Sequence, residues 1–153
     1  MTSLRRVSGE AANIWDEVPR WGGGLGTRRM LRPADGSLGA SLWELEPGAS
    51  QFVYHFHHAT EELLIVLRGQ PTVRMRDGER VLAEGDVLPF PAGAAGGHQI
   101  RNDGEVTARV LVVSASADPD VAEYPDSGKI AIVVGGRHHF HRVGDELEHA
   151  GPD

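Results

Sequence analysis

The sequence predicts an all-β fold, a small antiparallel barrel or sandwich closed from two sheets. Three observations carry this. Short apolar runs of strand length recur along the chain and are divided every eight to twelve residues by Gly, Pro or Asp. No segment has a sustained helical period; the short run A-A-N-I-W-D-E-V (11–18) is the sole candidate. Asp77-Gly78 lies between two apolar runs and is a strong two-residue hairpin signal, because both residues tolerate positive φ.

Taken in order, residues 1–36 are polar and Gly-rich and read as an irregular N-terminal arm with one strand near 27–31. Strands are predicted over 39–47, 51–57, 62–69, 71–77, 79–85, 86–90, 97–102 and 106–115. Residues 118–128, D-P-D-V-A-E-Y-P-D-S-G, read as an extended loop, with Asp126-Ser127-Gly128 as a turn. A strand over 129–134 and a polar tail complete the chain. The organisation is one domain: arm 1–36, barrel core 37–117, and a segment 118–153 packing on the barrel. A chain of 153 residues buries a core without staples.

Composition excludes several classes. The net charge of −7 argues against nucleic acid, which needs a basic face. No stretch is long and apolar enough to span a bilayer, and no apolar run follows the N-terminal arginines as a secretory leader requires, so a cytoplasmic protein is expected. With no cysteine, any metal site has only nitrogen and oxygen ligands.

Such a site is suggested by His55, His57, Glu62 and His98. Side chains alternate along a strand, so His55 and His57 point to one face and can share an ion. Glu62 opens the next apolar run. Three imidazoles and a carboxylate suit one divalent transition metal, whether Fe, Mn, Co, Ni, Cu or Zn. Glu61 is a rival to Glu62 that alternation does not exclude, whereas His58 faces the other way. The same alternation puts Val53, Leu64, Val66 and Ile100 inside, around the ion, and turns Phe52, Tyr54 and Phe56 away. Trp15, Trp21 and Trp43 are assigned to the core or to a dimer contact, although one of them could wall the pocket. The glycines of 93–97 read as a tight turn before a phosphate cradle, since no helix follows. The His-rich run 137–141 reads as surface or strand edge before a second metal site.

These residues stand in two ordered motifs. The first is Gly48, six residues, His55-Phe56-His57, four residues, Glu62, six residues, Gly69. The second is Gly85, five residues, Pro91-Ala92-Gly93, four residues, His98, three residues, Asn102. The pair resembles the two motifs of the cupin superfamily, with one more residue after Gly48 and two more between Gly93 and His98 than the family pattern has. The six-residue step to Gly69 in that pattern selects Glu62 over Glu61.

The resemblance implies a double-stranded β-helix, an antiparallel jelly-roll barrel, with His55, His57, Glu62 and His98 as metal ligands. It also implies a homodimer and a small-molecule ligand, while charge and hydropathy point to no nucleic-acid and no membrane partner. The expected activity is that of a metal-dependent isomerase, cyclase or lyase on a small oxygenated molecule. Glu62, or Tyr54 if it faces inward, would move the proton. An Fe(II)-dependent dioxygenase and a non-catalytic module binding a sugar or carboxylate are the alternatives.

Overall fold

The computed structural model describes residues 11–18, 27–31 and 37–144. Trp21, much of the N-terminal arm and the tail after 144 lie outside the described residues. Twelve strands among the described residues make three antiparallel sheets. Strands β1 (Thr27–Leu31), β2 (Leu38–Leu45), β4 (Glu61–Arg68), β7 (Val87–Phe90) and β9 (Ala108–Ala115) form a five-stranded sheet in the order β1-β2-β9-β4-β7. Strands β3 (Phe56–His57), β10 (Asp120–Tyr124), β11 (Lys129–Val134) and β12 (Arg137–Arg142) form the second, in the order β12-β11-β10-β3. Strands β5 (Thr72–Met75), β6 (Gly78–Val81) and β8 (His98–Arg101) form the third, with β5 central. The fold is all-β, as the spacing of turns predicts.

Period-two alternation builds the core. Trp43 and Leu45 on β2, Leu64 and Val66 on β4, and Ala108, Val110 and Val112 on β9 are buried. They also stand opposite one another: Trp43 pairs with Val110, Leu45 with Ala108, Leu64 with Val112 and Val66 with Val110. One face of the large sheet, Phe90 of β7 included, is therefore a continuous apolar layer, met by Val73, Ile100 and Leu82. Asn102 is 1% exposed and fully bonded. Its amide donates to the carbonyls of Leu45 and Val106, and its side-chain oxygen accepts from the Gly104 N–H. It latches the loop after β8 to the end of β2.

Four sequence expectations need correction. Residues 51–57 are not one strand; only Phe56–His57 is, with isolated bridges at Ser50 and His55. Residues 51, 52 and 54 bend, which breaks the alternation assumed for this run. The hairpin pairs Met75 with Gly78, so Arg76-Asp77 is its connecting pair and Gly78 alone takes positive φ. Residues 120–124 form β10, inserted between β3 and β11, where a loop was expected. Residues 11–18 form a turn and no helix.

That turn is tied to the barrel by Arg109. Its guanidinium, on buried β9, donates to the carbonyls of Ile14 and Asp16 and pairs with the Glu44 carboxylate. Trp15 remains 53% exposed but lies against the guanidinium groups of Arg68 and Arg109. Replacing Arg109 with Ala removes its bonds to two carbonyls and its pairing with Glu44, so a loss of about 1–3 kcal/mol is expected in urea unfolding. An unchanged midpoint would mean that the N-terminal segment contributes nothing to the fold.

Candidate metal centre

The two motifs meet through their backbones. The His55 N–H donates to the His98 carbonyl at 3.1 Å, and the His98 N–H donates to the His55 carbonyl at 2.9 Å. In such a reciprocal antiparallel pair the side chains stand side by side on one face. The rings lie 4.8 Å apart between centroids. Glu62, first inward residue of β4, completes a cluster in which one ligand atom each from His55, Glu62 and His98 lies within 4.8 Å of the others.

Each imidazole is oriented by a bond to its other nitrogen. His55 Nδ1 contacts the Val53 carbonyl at 2.8 Å, and His98 Nδ1 contacts the Gly96 carbonyl at 2.8 Å. A carbonyl only accepts, so Nδ1 carries the proton in both rings and Nε2 is left with its lone pair. His98 Nε2 is buried with no hydrogen-bond partner; the nearest charged group is Glu62 Oε2 at 3.3 Å. An unpartnered buried nitrogen beside a carboxylate is costly in a bare protein and is what a metal ligand looks like. The donor set therefore fits a divalent ion.

Burial keeps these rings neutral. Desolvation, reinforced by the neighbouring His98, lowers the His55 pKa to about 3. Burial also lowers the His98 pKa, against the attraction of Glu62. Phe90 stacks on the His98 ring with centroids 3.6 Å apart. Glu62 Oε1 accepts from the Ser114 hydroxyl at 3.0 Å, across the β4–β9 pair in which these two residues are opposite. Glu61 is exposed, and of the two glutamates Glu62 alone joins His55 and His98 in the cluster.

His57 stands beside this cluster and outside it. Its ring is 5.1 Å from that of His55, and its Nδ1 bonds Asp120 Oδ2 at 2.8 Å. His58 is exposed and pairs with Glu123. Tyr54 is buried under the Arg74 guanidinium, with its hydroxyl against Gly97. The tyrosine at the cluster is Tyr124, which the sequence reading missed; its ring stacks at 6.1 Å from His55, and burial pushes its phenol pKa up. Phe52 packs edge-on to His55 at 5.6 Å, and Val53 is 48% exposed. The expected facings of these two residues are reversed, because the bends at 51–54 interrupt strand alternation. The β12 histidines join no metal-binding cluster among the described residues.

The two extra residues of the second motif are taken up in a single three-residue 3-10 turn, Ala94–Gly96, which returns His98 to the pair with His55. Gly96 has no alternative there: a Cβ would lie 1.8 Å from the Pro91 carbonyl oxygen. The residue whose carbonyl orients His98 is thus held to glycine by packing.

A family model for the cupin domain matches residues 41–114. Among solved structures, a cupin-superfamily sugar phosphate isomerase from Silicibacter pomeroyi is 30% identical, covering 80% of this chain and 81% of its own, with a TM-score of 0.69. The chain belongs to the cupin superfamily. A candidate sugar phosphate isomerase from Acidithiobacillus ferrooxidans is 35% identical, with 72% and 70% coverage and a TM-score of 0.67. A Klebsiella pneumoniae protein with a double-stranded β-helix domain, 19% identical over 68% of this chain and 87% of its own with a TM-score of 0.58, shares the fold. No curated protein is significantly similar to the chain. Among the described residues, no helix is long and apolar enough to cross a membrane.

The lowered His pKa values set an acid dependence. Between about pH 3 and pH 6.5 the unfolded chain binds a proton at His55 that the folded chain refuses, so stability rises with pH across that window. Metal-free protein is expected to lose melting temperature steadily below about pH 6.5. His55→Gln should show a shallower loss; parallel curves for the two proteins would contradict the buried neutral imidazole.

Proposed function

We propose that this cupin is a metal-dependent isomerase acting on a phosphorylated sugar or a closely related small oxygenated molecule. The observation that carries the reading is the convergence of His55 Nε2, His98 Nε2 and Glu62, each held by a second bond. The likeness to the two sugar phosphate isomerases supports the substrate class. We assign His55, His57, Glu62 and His98 as ligands of one divalent transition metal.

A bound divalent ion would supply Lewis acidity toward a carbonyl or hydroxyl oxygen. The chain supplies the rest. Buried neutral imidazoles, the Phe90 ring stacked on His98 and the Phe52 ring edge-on to His55 keep water from the inner side of the site. Tyr124 stays protonated through the neutral range, with its ring stacked against His55. Glu62, held by Ser114, is the carboxylate placed to take a proton from the carbon next to a carbonyl. That proton returns to the former carbonyl carbon, and a hydroxyl proton crosses to the carbonyl oxygen, so aldose and ketose interconvert without a co-reactant.

The test is proton NMR of aldose and ketose phosphates in D2O with protein reconstituted with each metal in turn. Turnover with deuterium entering the carbon beside the carbonyl is expected, abolished by chelator. His98→Ala and Glu62→Gln should each lower kcat/KM by about a hundredfold or more. Tight binding of a sugar or carboxylate with no turnover by any metal form would replace this reading with that of a binding module.

A cytoplasmic setting belongs to the same proposal, because a phosphorylated sugar is charged and does not cross a bilayer unaided. So does a homodimer. The face of the five-stranded sheet turned away from the core carries exposed Leu38 and Val87 beside half-buried Leu63, Ile65 and Val113, an apolar surface fit for a second copy. Sedimentation should give twice the chain mass at micromolar concentration; a monomer would refute the dimer.

A further inference from the structure

We propose that Asp120 is a positioning residue that orients His57 as a metal ligand, by holding the proton on Nδ1 and leaving the Nε2 lone pair for the ion. This rests on the metal reading of the site. His55 and His98 are oriented by carbonyls two residues earlier in the chain. His57 has no such local partner; its Nδ1 is held by a carboxylate sixty-three residues away.

Asp120 is built for that role. Its side chain is 3% exposed, and it stands on β10 two residues from Ala122, the residue paired with His57. Positions two apart in a strand share a face, so the carboxylate reaches His57 diagonally across the β3–β10 pair. Oδ1 accepts from the N–H groups of Ala59 and Val121, both at 2.9 Å, and Oδ2 faces His57 Nδ1 at 2.8 Å. With Oδ1 taken by two N–H donors, the carboxylate presents Oδ2 as an acceptor, so His57 donates at Nδ1. A carboxylate behind a ligating imidazole fixes its tautomer and strengthens it as a ligand. His57 is 22% exposed, whereas His98 is 1% exposed, so packing restrains the His57 ring less and the carboxylate does more of the work.

Two measurements test this. In metal-free wild-type protein, nitrogen-15 NMR of the histidines at pH 8 should show His57 protonated at Nδ1 and bare at Nε2; the opposite tautomer would overturn the proposal. Chelator-competition titrations with Zn2+ and Mn2+ should show Asp120→Asn binding about 10–100-fold more weakly than wild type. In a His57→Ala background the same substitution should add less than about twofold. An equal loss in both backgrounds would assign Asp120 a general structural role and overturn the proposal. Wild-type protein that binds neither ion, with the His57 tautomer as expected, would refute the metal reading while leaving the Asp120–His57 orientation standing.

Discussion

The reciprocal backbone pair between His55 and His98 is the constraint on which the site depends. It joins the two motif segments, which lie more than forty residues apart in sequence, and puts their imidazoles on one face. Everything that shapes either segment is read out there. The bends at 51–54 let the Val53 carbonyl turn back to His55, and the 3-10 turn before β8 does the same with the Gly96 carbonyl and His98. A regular strand cannot bond its own side chain in this way, because its carbonyls are directed to its neighbours. The irregular backbone of these segments is therefore what orients the two imidazoles.

Around that pair the structure accepts a cost. Two imidazoles and a carboxylate share a small, largely buried volume, and His98 Nε2 has no hydrogen bond. Such groups would be cheaper as apolar residues, since the layer of Leu64, Val66, Val110 and Ile100 beneath them already forms a complete core. The cost is intelligible if the lone pairs have an occupant. Ser114 behind Glu62 and Asp120 behind His57 add to this: both are side chains whose bonds restrict the rotamers of the groups in front of them.

Much of this was legible in the sequence. Turn residues at short intervals predict the all-β class, and motif spacing points to His55, His57, Glu62 and His98 as a ligand set, of which the structure clusters His55, Glu62 and His98. What was not legible followed from two physical facts. Alternation arguments hold only inside regular strands, so Phe52 and Val53 take faces opposite to those alternation predicts, because 51–54 is bent. Partners far along the chain leave no local trace. Asp120 and Tyr124 lie in a Pro- and Asp-rich run that resembles a loop, yet pairing with β3 makes it a strand and brings both residues to the histidines. The two-residue excess before His98 is similar: spacing announces an insertion, but only the 3-10 turn and the tight Gly96–Pro91 approach reveal how it is absorbed.

The central proposal is that His55, Glu62 and His98 are preassembled to hold one divalent ion, which the neighbouring His57 joins as a third imidazole. X-ray absorption spectroscopy of protein loaded with one equivalent of Zn2+ or Mn2+ tests it most directly, since imidazole rings give a recognisable outer-shell scattering pattern. The account expects an ion ligated by three imidazoles with the remaining donors oxygen. A spectrum with oxygen donors alone would contradict it.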